Sequence, residues 1–320
     1  MTAATEGQDD EDDAPVRHLL EVDDLDADEL RALLDAAAAF GRSRDPPPSR
    51  ALVGRSVVLL FEQPSTRTRV SFERAVTDLG GDTVFMGPGE TQLSRGEPLR
   101  DTARCLAGYT DAIVARVEDH ESLTELAAYA DVPVVNALSD RAHPCQTLAD
   151  LLTVREVAGD LDGATAAWVG DGNNVARSFA LGCAATGVDL TVATPPEHGL
   201  DDATLDRAAA LGDAPTVTHD PETAVAGADV VYTDAWVSMN HSDRAERPAP
   251  FETGGFQVDA SLLPADAAFM HCLPAHRGAE VTDAVVESDR SVVWRQAENR
   301  RHAQTALLER LLAADASPAP

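Results

Sequence analysis

Lysine is absent from this 320-residue chain, so all 25 basic side chains are arginine, set against 55 acidic residues for a net charge of −30. That balance excludes functions that need a broad cationic surface, namely nucleic-acid binding and docking on anionic membranes. The acidic residues are spread along the chain rather than gathered in one tail. Self-repulsion at this charge opposes compaction in dilute buffer, whereas at molar salt the screening length falls to about 3 Å. The composition therefore predicts a salt-rich cytoplasm. Cysteine is scarce as well: Cys105, Cys145, Cys183 and Cys272 are scattered, with no C-x-x-C pair. No export signal is read at the start, so reduced thiols are expected. No apolar run approaches the roughly 18 residues that a membrane span needs. A phosphate loop of the form GxxxxGK is missing too.

What is present is a chain with 44% apolar residues, enough for a real core, and a length that suits two domains of about 150 residues. The first 15 residues, "MTAATEGQDDEDDAP", read as a frayed acidic tail. Beyond a helix at 24–40, short apolar runs alternate with segments of helical spacing: "SVVLLF" (56–61) before a helix at 66–79, "TVFM" (83–86), "AIVAR" (112–116), "VPVVNA" (132–137) before a helix at 144–157. The pattern restarts at "TAAWVG" (165–170) and continues through "VDLTVAT" (188–194), "ADVVYTDAW" (228–236) and "AAFMH" (267–271), with an irregular stretch at 237–260 and a last helix at 296–313. This alternation predicts an α/β fold of two domains, each a mostly parallel sheet flanked by helices. The expected division is 1–150 and 151–299, with the helix from about 300 packing back on the first domain.

In such folds ligands sit where strands end and helices begin. "STRT" (65–68) occupies one such junction, where free N–H groups and the helix dipole favour an anion. Ser65, Thr66 and Thr68 offer hydroxyls, and Arg67 offers a planar fork for phosphate oxygens. A simple Ser/Thr helix cap with solvated arginines is the alternative. "HPCQ" (143–146) places a histidine and a glutamine where both can donate to one carbonyl oxygen, or where the histidine is a bystander to a Pro144-led helix start. "GDGNN" (170–174) resembles a dinucleotide turn, yet Val175 stands where the third glycine belongs. "DAWVSM" (234–239) ends a strand with a carboxylate and a hydroxyl, suited to an amine or to capping the next turn. "HCLPAHRG" (271–278) sets Cys272 between two histidines, as a buried apolar thiol, a polar site thiol or, least favoured, a zinc ligand.

Taken in order, "STRTR", "TQLSRGE", "HPCQ", "GDGNN", "DAWVSM" and "HCLP" resemble the aspartate/ornithine transcarbamylase family over about residues 17–313. The resemblance is greatest to the branch that uses ornithine. It implies a first domain for carbamoyl phosphate and a second for the amino acid, a trimer or a multiple of trimers, and no metal or organic cofactor. The reaction implied is carbamoyl transfer to the δ-amine of L-ornithine, giving L-citrulline and phosphate. By that likeness Ser65, Thr66, Arg67 and Thr68 hold the phosphate, and Gln92 reaches a phosphate in a neighbouring subunit. Arg116, His143 and Gln146 hold the carbamoyl oxygen. Asn174, Asp234, Ser238 and Met239 bind ornithine. Cys272 and Leu273 lie at the reacting amine, and Arg300 closes over carbamoyl phosphate. The family's aspartate-using branch carries a catalytic lysine that this chain lacks. Acetylornithine and putrescine remain open as acceptors, and Asn240 stands where the family usually has glycine.

Overall fold

The computed structural model describes residues 17–42, 50–237 and 248–313. Its first unit holds strands β1 (Ser56–Phe61), β2 (Asp82–Met86), β3 (Ala112–Arg116) and β4 (Val134–Leu138). They form one sheet in the order β2-β1-β3-β4, every pair parallel. Helices α1 (Ala27–Gly41), α2 (Thr66–Asp78), α3 (Leu99–Ala107), α4 (His120–Tyr129) and α5 (Pro144–Ala158) cover its faces. The second unit holds β5 (Thr165–Val169), β6 (Asp189–Ala193), β7 (Thr216–Thr218), β8 (Val230–Thr233) and β9 (Ala268–His271). These pair in parallel in the order β7-β6-β5-β8-β9. Around them lie α6 (Asn174–Thr186), α7 (Asp202–Leu211), α8 (Pro221–Val225), α9 (Pro248–Thr253) and α10 (Asp283–Val286), and α11 (Val293–Ala313) follows.

The strands read as continuous apolar runs because both faces of each sheet are covered; in β1 all residues from Val57 to Phe61 are buried. Helix α2 starts at Ser65, whose Oγ accepts from the Thr68 N–H, and buries Phe72, Ala75 and Val76 along one stripe. Helix α5 is different. Pro144 opens it, and every residue from Pro144 to Val154 is buried. It packs against α11, α6 and α1, so one apolar cluster runs from the first unit through Leu148 and Leu151 to Phe179, Trp168 and Tyr232 of the second. Burying each such leucine contributes roughly 1.5–3 kcal/mol. Helix α11 lies on α1, α2 and α5, which returns the chain end to the first unit.

Three segments differ from the sequence expectation. The run at 228–236 is a strand only over Val230–Thr233, preceded by Asp229, whose side chain accepts from the Thr165 N–H and Oγ. The stretch expected to be irregular contains α9, whose Phe251 is buried against Trp236 and Phe256. Helix α11 begins at Val293, ahead of the expected Gln296. No helix among the described residues is long and apolar enough to cross a membrane.

Candidate active site

The carboxyl ends of both sheets face a shared cleft of about 1350 Å³. Its first-unit wall carries three arginines, with Glu118, Asp119 and Asp140 also lining it. Of the arginines in "STRTRVSFERA", Arg69 pairs with Glu73 at 2.8 Å and Arg74 with Asp78 at 2.7 Å, both along α2. Arg67 lines the cleft and has no ion-pair partner among the described residues. Arg116 comes from the end of β3, and Arg300 reaches in from α11, 4% exposed. Burial, with Arg300 and Arg67 close by, pulls the Arg116 guanidinium down to about 10. Arginine stays protonated through such a shift. Three cations thus converge that form no ion pair with a carboxylate among the described residues, in a protein of charge −30.

Neutral polar groups hold this wall together. Arg300 Nη1 donates to Gln146 Oε1 at 2.7 Å and stands 3.3 Å from His143 Nε2; its Nη2 donates to Thr68 Oγ1 at 3.1 Å. Burial, together with Arg300, Arg116 and Arg67, pushes the His143 imidazole well below its ordinary value, so it is neutral. With Nε2 accepting from Arg300, the proton belongs on Nδ1, which has no partner among the described residues. Ser65 Oγ lies 3.0 Å from Thr68 Oγ1 and also caps the helix, so the capping and cradle readings of "STRT" coexist. Thr66 is exposed and does not line the cleft.

The second-unit wall carries acid. Asp234 follows β8, and its Oδ1 accepts from the Cys272 thiol at 3.0 Å. Burial, then Asp234, holds that thiol well above its ordinary value, so Cys272 is a protonated donor rather than a thiolate. Asn173, at the cap of α6, donates from Nδ2 to Asp234 Oδ2 at 2.8 Å. Asn174 also lines the cleft, and its Nδ2 donates to the Ser139 carbonyl at 2.6 Å, bridging the two units. The glycines of "GDGNN" serve the protein itself. A Cβ on Gly172 would lie 2.5 Å from the Gly199 backbone, and Gly172 N–H donates to His198 O at 2.7 Å.

Leu273 lines the cleft in the left-handed region, φ 62°, a conformation costly for leucine, followed by a cis bond to Pro274. Its N–H donates to His271 Nδ1 at 2.9 Å, and His271 Nε2 lies 3.2 Å from Glu280. Ligand atoms of Asp234, His271 and Cys272 fall within 4.8 Å of one another, a spacing that could suit a metal ion. Both ring nitrogens of His271 are nevertheless engaged, and the thiol keeps its proton, so the donor set is arranged for hydrogen bonding.

Gln92 sits exposed on a 3-10 turn, Gln92–Arg95, away from this cleft. Ser238, Met239 and Asn240 lie outside the described residues. The sequence marks the Asn173–Asn174 pair as able to hydrogen-bond a polar substrate, but reasoning from it missed Asp150, Gln296 and Tyr232. Asp150 had a visible signal: a carboxylate four residues after Gln146, on the same face of the helix and between the apolar Leu148-Ala149 and Leu151-Leu152.

Three arginines that form no ion pair among the described residues face the Asp234–Cys272 pair across a two-unit cleft, which suits a transferase that joins an anionic donor to an amine-bearing acceptor. The chain belongs to the aspartate/ornithine carbamoyltransferase family: the family's carbamoyl-P binding domain matches residues 17–156 and its Asp/Orn binding domain matches residues 162–311. It is similar to the ornithine carbamoyltransferase of Haloquadratum walsbyi, with 53% identity over 297 residues, 92% of this chain and 97% of that protein. The solved ornithine carbamoyltransferase from Pyrococcus furiosus has a TM-score of 0.88 at 45% identity, covering 94% of this chain and 98% of that one. A solved N-acetyl-L-ornithine transcarbamylase mutant matches with a TM-score of 0.82 at 33% identity, covering 92% of this chain and 99% of that one.

Proposed function

We propose that this enzyme transfers the carbamoyl group of carbamoyl phosphate to the δ-amine of L-ornithine, releasing L-citrulline and phosphate. The observation that carries the reading is the convergence of Arg67, Arg116 and Arg300 opposite the Cys272–Asp234 pair. In this reading residues of the first unit hold carbamoyl phosphate and those of the second hold ornithine. The phosphate lies at the start of α2, against Arg67 and the hydroxyls of Ser65 and Thr68. The carbamoyl oxygen faces Arg116, His143 and Gln146, which supply donors to the negative charge that grows there.

The neutral amine attacks the carbamoyl carbon, a C–N bond forms, and the C–O bond to phosphate breaks. One nitrogen proton leaves with the phosphate. Asp234 and the protonated thiol of Cys272 orient the amine; Leu273 shapes the wall beside it. Carbamoyl phosphate is already activated, so neither a covalent cysteine intermediate nor a metal or organic cofactor is required. Positioning and electrostatics account for the acceleration. Asn174, Ser238 and Met239 complete the ornithine site by family likeness. The decisive assay compares citrulline formation from ornithine with turnover of N-acetylornithine, putrescine and aspartate in molar potassium chloride. Faster turnover of any of these than of ornithine would reject the acceptor assignment.

The same reading makes the enzyme a trimer, or a multiple of trimers, of a salt-rich cytoplasm. Gln92 lies off its own cleft, as a residue serving a neighbour's phosphate would. Arg67→Ala and Gln92→Ala chains refolded together should recover activity that neither regains alone, since some mixed sites carry neither lesion. No recovery in verified mixed oligomers counts against sharing. Salt dependence follows from the charge of −30: the thermal midpoint should rise between dilute buffer and molar potassium chloride, and an unchanged midpoint refutes it.

A further inference from the structure

Asp150 stands behind the site rather than in its wall. It is fully buried on α5. Its Oδ1 accepts from Gln146 Nε2 and from Gln296 Nε2, each at 2.7 Å, and its Oδ2 accepts from the Tyr232 hydroxyl at 3.0 Å. Among the described residues no arginine or histidine forms an ion pair with it. A buried carboxylate met only by neutral donors is expensive to keep. An apolar residue would pack there more cheaply, so the carboxylate asks for a role.

The role follows from amide geometry. A glutamine side chain offers an acceptor on one side and two donors on the other, and a half-turn exchanges them. Asp150 removes that freedom from two amides at once. With Nε2 of Gln146 bound to Asp150, its Oε1 is the atom presented to Arg300 Nη1, and its second N–H is left for the cleft. With Nε2 of Gln296 bound likewise, its Oε1 accepts the His271 N–H at 2.9 Å. His271 immediately precedes Cys272, and Tyr232 lies two residues before Asp234. One carboxylate therefore touches the supports of both walls.

We propose that Asp150 is a positioning residue that sets the amides of Gln146 and Gln296 and so holds the carbamoyl-side donors in register with the Cys272–Asp234 pair. It acts through those amides and not on substrate. The inference rests on the reading of Gln146 as a donor to the carbamoyl oxygen.

The ionised form is the one that serves. A carboxylate accepts on both oxygens, whereas a protonated acid turns one oxygen into a donor facing a donor. Burial raises the Asp150 carboxyl to about 7, against the opposing pull of Gln296, Gln146, Tyr232 and Arg300. The other titratable or charged groups facing it are Tyr232 on β8, Cys183 on α6, Cys272 after β9 and Arg300 on α11. Tyr232 and both thiols are pushed well above their ordinary values and stay neutral, and Arg300 stays cationic. Asp150 is thus the member of the group that changes charge near neutrality.

The test is steady-state kinetics of the full-length enzyme in molar potassium chloride, with Asp150→Ala, Asp150→Asn, Gln146→Ala and the Gln146→Ala/Asp150→Ala double variant. Asp150→Ala should lower kcat/KM for carbamoyl phosphate by about tenfold or more, part of the cost of losing an oxyanion donor. Asp150→Asn replaces one acceptor oxygen with an NH2 donor, as protonation does. It should hold the lower activity of the protonated form at every pH and so lack the fall below about pH 7 that is expected of the wild type. The double variant should stay within about threefold of Gln146→Ala alone, because coupled residues are not additive. Fully additive losses would overturn the proposal, as would an acid limb unchanged in Asp150→Asn. An Asp150→Ala protein that loses thermal stability but no catalytic efficiency would also overturn it. If Asp150→Ala does not fold, the pH profile of Asp150→Asn decides alone. If Gln146→Ala leaves kcat/KM for carbamoyl phosphate unchanged, the donor role of Gln146 itself is wrong. That failure is visible without any Asp150 variant, and the inference falls with it.

Discussion

The two walls of the cleft oppose each other in charge and in how that charge is held. On the first-unit side Arg300 meets the neutral partners His143, Gln146 and Thr68, and Arg67 and Arg116 form no ion pair among the described residues. Many arginines elsewhere in the molecule are matched to carboxylates, as in Arg295 with Glu156, Arg301 with Asp78 and Arg310 with Glu29. On the second-unit side the carboxylate of Asp234 is likewise met by neutral donors, Cys272 and Asn173. Glu118, Asp119 and Asp140 also line the first-unit side and Arg177 the second, but among the described residues Arg67, Arg116, Arg300 and Asp234 form no ion pair, so the substrate can supply the opposite charge there. In a chain of charge −30 this cannot come from the overall field, which repels a dianion. It comes from local, partly desolvated groups that molar salt screens little.

The contrast can be broken most severely at Arg300. Arg300→Ala removes contacts to Gln146, His143 and Thr68 together, and kcat/KM for carbamoyl phosphate should fall on the order of a thousandfold. The KM for ornithine should move far less, and equal losses on both substrates would deny that the walls act separately. Next in size is Arg67→Lys, which keeps the charge but loses the planar fork; about tenfold to a hundredfold should go from the same constant. Arg69→Ala and Arg74→Ala are its controls. Their partners lie along α2, and exposed pairs of that kind contribute little, so activity should stay within about threefold.

On the acidic wall, Cys272→Ser should cost about tenfold, mainly in ornithine handling, because the hydroxyl can still donate to Asp234. Intact-protein mass spectra taken during turnover should show no carbamoyl adduct on the wild type; finding one would make the thiol a nucleophile. The last effect concerns stability rather than turnover. The Asp150 carboxyl is raised from 3.8 to about 7, so between those values the native state binds more protons than the unfolded chain. Stability should therefore fall as pH rises through that window, by up to on the order of 4 kcal/mol at about 1.4 kcal/mol per unit. Denaturant midpoints measured from pH 5 to 8 should show this fall, and Asp150→Asn should remove it.

Sequence alone determined the parallel α/β plan, because strands covered on both faces must be continuously apolar and the intervening helices must carry a stripe. "SVVLLF" and the helix that follows it were readable for that reason, as were the junction residues Arg67, His143, Gln146, Asp234 and Cys272. The motif order also pointed to the family. What sequence left undecided was partnership across long separations. It could not tell that Arg69 and Arg74 serve α2 while Arg67 faces the cleft, since the three differ only in which side of the helix meets solvent. Nor could it place Arg300 against Thr68, or join Asp150 to Gln296 and Tyr232. Those contacts exist because α5 and α11 pack together between the two sheets. Hydrogen bonds between residues 82 to 232 positions apart are chosen by that packing, not by any local pattern.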